Sequence, residues 1–165
     1  MSCIFLTVGI SGSGKSTFVK LKKAEFGLLE LNAVDIRLHD YGNINDQTHN
    51  KEVFKKIDTL LESSNANVIL SNTNLDLGRI ITLANNHKRD TIILYIMLDS
   101  NNLQLCDLRI KKSLQRGDIR SNVPIEILKK QHDKFKKFMK EIQEVELPKN
   151  VIGFFVNSSF EVERV

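Results

Sequence analysis

A nine-residue stretch near the N-terminus, Gly9-Ile-Ser-Gly-Ser-Gly14-Lys15-Ser16-Thr17, constrains this chain more than any other. It has the spacing GxxxxGK[ST]; an apolar run, Cys3 to Val8, precedes it and a helical pattern, Lys15 to Glu25, follows. Three of the chain's eight glycines fall within six positions here. Glycines let successive backbone N–H groups turn inward as an anion-binding nest. The helix behind them adds the positive end of its dipole. Lys15 then carries a point charge to the β- and γ-phosphates, the Ser16 hydroxyl reaches Mg²⁺, and Thr17 supports the loop from behind. The pattern therefore points to a bound nucleoside triphosphate, held by Gly9, Ser11, Gly12, Ser13, Gly14, Lys15, Ser16 and Thr17.

The rest of the chain alternates between strand and helix patterns. Strands are expected at Cys3 to Val8, Leu28 to Leu31, Val68 to Leu70, Thr91 to Leu98 and Val151 to Val156. Helices are expected over Lys51 to Ser63, Asp76 to His87 and Asn102 to Arg116, and from Pro124 to about Glu144. In Lys51 to Ser63 the apolar residues Val53, Phe54, Ile57, Leu60 and Leu61 share one helical face. In the last helix Leu128, Phe135, Phe138, Met139 and Ile142 do the same. Alternation of this kind predicts an α/β fold, three-layered α/β/α, with a mostly parallel five-stranded sheet. At 165 residues the chain is read as one domain spanning 1–165, long enough for a real core. Right-handed crossovers place the strand C-termini along one edge, where open α/β sheets bind ligands.

Charge is informative where it concentrates. The net charge is +4, but Arg109 to Lys140 contains eleven bases and three acids. That segment is +8 and the remainder −4, a lopsided field suited to a polyanionic ligand or to a solvated lysine-rich helix face. Arg109 and Arg116 share a face of one helix, and Arg120 follows in the loop. A basic helix end and a flexible loop opposite a phosphate loop form a lid, about residues 109–123, whose arginines clamp a transferring phosphoryl group. Asp35 and Arg37 follow the second strand: Asp35 is placed to take a proton from an acceptor hydroxyl and Arg37 to hold an acceptor phosphate, with Asp40 a near competitor for the acid's role.

Other classes fit less well. The base-reading Asn-Lys-x-Asp of GTPases is missing from the sequence, and the strand Val68 to Leu70 ends in Ser71-Asn72 rather than the aspartate of motor-type ATPases. His39, His49, His87 and His132 have no metal-ligand spacing and are read as structural or surface residues. No run of ~18 uncharged apolar residues occurs, so no membrane span is expected. The Met1 to Ile10 run is read as a strand and not a signal peptide. Two scattered cysteines, Cys3 and Cys106, fit a reduced cytoplasmic protein, in the host cytoplasm if the chain is viral.

The order of several further motifs resembles the 5′-hydroxyl polynucleotide kinase domain, most closely that of the phage kinase/phosphatase type. The resemblance covers Ile4 to about Met139. It rests on the phosphate loop, Asn32-Ala-Val-Asp35-Ile-Arg37, Ser71-Asn72-Thr73-Asn74-Leu75, Arg79, and Arg116-Gly117 followed by Val123-Pro124-Ile-Glu-Ile127-Leu. It implies transfer of the γ-phosphate of ATP, with Mg²⁺, to the 5′-hydroxyl end of DNA or RNA. Arg116 would contact the donor phosphates, Arg37 the phosphate beside the accepting nucleoside, and Val123 and Ile127 the terminal base; Asn72, Thr73 and Arg79 fall at acceptor-side motif positions. A small-molecule or nucleoside/nucleotide kinase on the same scaffold, or a nucleotide-binding protein with weak or lost transfer, are the rival readings.

Two departures bear on the acceptor. The family reads Asp-x-x-Arg where this chain has Asp35-x-Arg37, so an ungapped alignment puts the catalytic acid at Val34. Asn72 stands where the phage enzymes carry aspartate. Asp35 after a one-residue shift, or Asp40, would then supply the base. The Asp-x-Asp-x-Thr motif of the attached phosphatase is missing, so a kinase without that domain is expected.

Overall fold

The computed structural model describes residues 2–88 and 90–165. Along the chain run β1 (Cys3–Val8), α1 (Lys15–Phe26), β2 (Leu29–Leu31), α2 (Ala33–Tyr41), α3 (Asn50–Ser63), β3 (Val68–Leu70) and α4 (Leu77–Asn86). These are followed by β4 (Thr91–Met97), a 3₁₀ turn at Leu98–Asn101, α5 (Leu103–Gln115), α6 (Ile125–Glu144), β5 (Val151–Val156) and β6 (Val162–Arg164). The sheet order is β2-β3-β1-β4-β5-β6, parallel throughout except for the antiparallel edge pair β5–β6. The expected five parallel strands are all present, and β6 is a sixth. Its three residues are all exposed and carry no buried pattern to read.

Side chains alternate across the sheet as the strand period requires. Ile4, Leu6 and Val8 of β1, and Ile92, Leu94 and Ile96 of β4, face a large core closed by α2 to α6. Phe5 of β1, with Tyr95 and Met97 of β4, faces a smaller core closed by Phe18 and Val19 of α1. Three layers result, with most of the helical mass on one face. Phe18, Phe135 and Phe138 are fully buried, each contributing roughly 1.5–3 kcal/mol. On α6 Met139 is only partly buried, at the margin of the face formed by Leu128, Phe135, Phe138 and Ile142.

One helix was not visible in the sequence. Ala33–Tyr41, where Asp35 and Arg37 read as loop residues, is α2. Its amphipathic pattern is short, with only Ala33, Ile36 and Arg37 buried, but its ends are well marked. The Asn32 side chain accepts from Asp35 N, and Gly42 closes it at φ 68°. Pro124 sits just ahead of α6 as its capping residue rather than inside the first turn. No helix of the described residues is long and apolar enough to cross a membrane.

Candidate active site

β1 delivers the chain to the C-terminal edge of the sheet, between β3 and β4. Gly12 (φ 79°) and Gly14 (φ 96°) adopt left-handed conformations there. A Cβ on Gly12 would also collide with the backbone carbonyl of Cys106 in α5. Gly14 precedes α1 without any side-chain cap, leaving first-turn N–H groups open for an anion.

Distant parts of the chain hold this loop in place. Gly9 N donates to Thr73 O at 3.0 Å, Ile10 N to Ser100 Oγ at 3.1 Å, and Ser11 N to Gln131 Oε1 at 2.9 Å. Arg109 pairs with Asp99 at 2.8 Å and reaches Gly12 O at 3.4 Å. Lys15 is buried, its Nζ donating to Gly9 O at 2.9 Å and Ile10 O at 2.6 Å. Desolvation lowers its pKa to about 7; the nearby Cys106 opposes this and Arg120 adds to it. Burial pushes the Cys106 thiol up to about 11, so it stays protonated. Ser16 and Thr17 are exposed on a cleft of about 2090 Å³. Thr17 therefore does not back the loop. Ser13 is the buried hydroxyl residue of the loop, and its Oγ has no hydrogen-bond partner.

The acceptor side is built by the residues that follow β2 and β3. In the turn after β3, Asn74 (φ 48°) donates from Nδ2 to the carbonyls of Thr7, Leu70 and Asn72. That ties the Ser71 to Asn74 turn to the end of β1, while Thr73 O accepts from Gly9 N of the phosphate loop. Asn72 Oδ1 accepts from Ala33 N at 2.9 Å, so this side chain caps α2 as well as bordering the cleft. Arg37 of α2 is buried; it donates to Asn50 Oδ1 at 2.6 Å and Gln47 Oε1 at 3.4 Å, while its Nε has no partner. Burial lowers its pKa, against the attraction of Asp46. Asp35 is exposed on the cleft, its Oδ2 accepting from Asn32 Nδ2 at 2.6 Å. Val34 also borders the cleft, so an apolar side chain occupies the position where the resemblance expects an acid. Asp40 lies outside the cleft lining, bound to Lys56 at 2.6 Å and His39 at 2.7 Å, contacts that hold its carboxyl below the usual range. Arg79 is exposed beside the cleft, 3.3 Å from Asp58 and 4.7 Å above the Phe54 ring. Thr73 lines the same wall.

The segment expected as a lid, residues 109–123, borders the third side of the cleft. Arg116 is two-thirds exposed and pairs with Asp118 at 2.9 Å, which also accepts from Ser113 Oγ at 2.7 Å. Arg120 is half-buried, close enough to Lys15 to depress its pKa, and its Nε is buried without a partner. Arg120 lies near both Lys15 and Asp118, whereas Arg116 is paired with Asp118 of its own loop. Ser121 and Asn122 touch the segment after α2, Asn122 N donating to Asn45 Oδ1 at 3.0 Å. Val123 and Ile127 border the cleft, followed along α6 by Lys130, Lys134 and Lys137.

Sequence reasoning missed Ser100 and Gln131, and named Asn74 only as part of a motif, without a role. Ser100 and Gln131 act on backbone brought near by folding, and no local pattern marks them. Among the described residues no group of three or more His, Cys, Asp or Glu is placed to hold a metal ion. Mg²⁺ needs no such cage: one hydroxyl, substrate phosphates and water suffice, and the exposed Ser16 hydroxyl fits that demand.

A family model for an AAA domain matches residues 4–138. No curated protein sequence matches the chain. Among solved structures it is similar to a gluconokinase from Sinorhizobium meliloti 1021, at 15% identity and TM-score 0.54, covering 93% of this chain and 82% of that one. It is similar to a structure from the PezAT chromosomal toxin-antitoxin system of Streptococcus pneumoniae, at 15% identity and TM-score 0.65, covering 98% and 70%. It is also similar to deoxyadenosine kinase from M. mycoides, at 14% identity and TM-score 0.55, covering 96% and 92%. At such identities these likenesses speak for the fold alone. The family match spans most of the chain, from β1 into α6, and by it the chain belongs to the AAA domain family, a family of P-loop kinases.

Proposed function

We propose that this chain is an ATP- and Mg²⁺-dependent phosphotransferase acting on a hydroxyl of a small acceptor of the nucleoside or nucleotide class. One observation carries the transfer reading. Two arginines on different walls of the cleft, Arg37 in α2 and Arg120 in the lid, each keep a buried Nε without a partner. Buried donors of this kind are costly unless a ligand satisfies them. Phosphate oxygens are the natural acceptors for planar guanidinium groups. In this reading Lys15 and the loop N–H groups hold the donor phosphates, and Arg120 stabilises charge on the transferring group. Asp35 orients the acceptor hydroxyl and takes its proton as the γ-phosphoryl moves to the acceptor oxygen. Mg²⁺, met by the Ser16 hydroxyl, would offset negative charge on the phosphates.

The small-acceptor form is supported by the kinases among the structural neighbours, named for gluconate and deoxyadenosine. A second reading, transfer to the 5′-hydroxyl end of DNA or RNA, is favoured by one feature. Lys130, Lys134 and Lys137 form a basic wall along a cleft larger than most small-molecule pockets.

The test is transfer of label from γ-labelled ATP to nucleosides, nucleoside monophosphates and sugars, and in parallel to 5′-hydroxyl DNA and RNA oligonucleotides. Label on the nucleoside class, with an acceptor KM insensitive to salt, is the expected result. Label on oligonucleotides, with affinity falling steeply with salt, moves the acceptor to nucleic acid. Bound ATP with no label on any acceptor would leave a nucleotide-binding protein.

A further inference from the structure

The tight turn between β5 and β6 carries an unusual residue. Asn157 organises it, its Oδ1 accepting from Ser159 N at 2.9 Å and Glu161 N at 3.0 Å. Phe160 sits at φ 61°, in the left-handed region. Asn or Gly adopts that conformation easily; a bulky aromatic residue does so at a cost. Such strain persists where surrounding structure over-determines it, often at a ligand site.

The ring's position suggests which ligand. A Cβ on Gly14 would lie 3.3 Å from Phe160 Cε1, so the ring stands beside the last glycine of the phosphate loop. One side is supported by Phe18 of α1, at 5.9 Å between centroids. Phe160 remains half-exposed on the same cleft as Lys15, Ser16 and Thr17.

Sheet order supplies the direction. Arg37, Asn72 and Asp35 follow β2 and β3, on one side of β1, and Phe160 follows β5, on the other. In-line transfer requires the γ-phosphate to point toward the acceptor, so the remainder of the donor leaves the nest on the opposite side. An aromatic ring waits there.

We propose that Phe160 is the platform on which the base of the donor nucleotide stacks. This rests on the phosphate-donor reading above and deepens it. Stacking uses the π-face that every base has, so the platform supports ATP and GTP alike. Residue 160 lies outside the segment matched to the family, 4–138, and no motif marks it.

The test compares ATP with inorganic tripolyphosphate, which offers the same phosphates and no base. Phe160→Leu keeps apolar bulk against Phe18 and removes the flat ring. Its expected effect is loss of ATP and GTP affinity by about 10-fold each, with tripolyphosphate affinity held within about 2-fold. Phe160→Trp should restore ATP binding. The chain has no other tryptophan, so its fluorescence should be quenched by ATP and left unchanged by tripolyphosphate. Equal weakening of ATP and tripolyphosphate in Phe160→Leu would show a purely structural ring, and unchanged ATP affinity would remove its role; either overturns the proposal. Wild-type chain that binds tripolyphosphate but gains nothing from a base refutes the platform alone. Wild-type chain that binds neither refutes the donor reading with it.

Discussion

The donor and acceptor walls of the cleft are built to different tolerances. On the donor wall, three consecutive loop N–H groups, those of Gly9, Ile10 and Ser11, are each held by a separate element, and Gly12 packs flush on α5. On the acceptor wall, α2 is short, Asp35 is exposed, and Arg37 is steadied by two amide side chains from the Asn43–Asn50 region. In the proposed function, a rigid donor site serves one invariant ligand part, the polyphosphate, and a looser acceptor site carries the specificity, as loops on a rigid scaffold do.

Substitutions can break that contrast, and the largest effect belongs to the donor wall. Lys15→Ala should lower transfer by at least about 10³-fold in the labelled-phosphate assay, through loss of charge at the phosphates. Next comes the lid. Arg120→Ala should cost about 10²–10³-fold in kcat, and Arg116→Ala less than about 10-fold, because Arg120 keeps a buried Nε without a partner beside the cleft while Arg116 is exposed and paired with Asp118. The reverse order would restore Arg116 as the phosphate contact. On the acceptor wall, Asp35→Asn should cost about 10²-fold in kcat with stability unchanged, and Asp40→Asn should leave kcat within about 2-fold.

A smaller effect follows from the buried lysine. With a pKa of about 7, free Lys15 is part neutral near physiological pH, and bound phosphates favour its charged form. Nucleotide binding should then take up about half a proton at pH 7 and nearly a full one at pH 8, and affinity should fall as pH rises above about 7. Calorimetry in buffers of different ionisation enthalpy measures this. In the free chain the sign is consistent: the unfolded lysine holds a proton that the folded one loses, so stability from this group rises with pH between about 7 and 10.5. The smallest change is expected from Asn72→Ala. Losing the acceptor for Ala33 N should cost about 1 kcal/mol, a drop in Tm of roughly 2–4 °C, with ATP affinity unchanged.

The five parallel strands and most helix boundaries were legible because each is a local pattern. Val151–Val156 coincides with its expected range, and Asn50–Ser63 differs from its own by one residue. Ala33–Tyr41 was hidden because Val34 to His39 alternates apolar and polar residues with a strand-like rather than a helical period, and its caps act through Asn32 and Asn72. The edge strand Val162–Arg164 was hidden because exposed residues bear no alternation. Within the site, the glycine turn into α1 was legible in the sequence, while the burial of Ser13 rather than Thr17 and the different surroundings of Arg116 and Arg120 were not. Three residues of loop separate them, and only the folded loop pairs Arg116 with Asp118 and leaves Arg120 near Lys15.

The sequence by itself determined that a phosphate-binding loop joins a buried strand to a helix, because nest, dipole and lysine are contiguous in the chain. Contiguous chemistry depends on local backbone geometry, which residue type and spacing express directly. Only the tertiary structure decided that Gln131 and Ser100 hold that loop, that Arg37 and Arg120 face one cleft from separate walls, and that Phe160 stands beside Gly14. Those placements depend on how β2, β5, the lid and α6 pack around β1, and packing is a property of pairs of segments far apart in sequence that neither segment records alone.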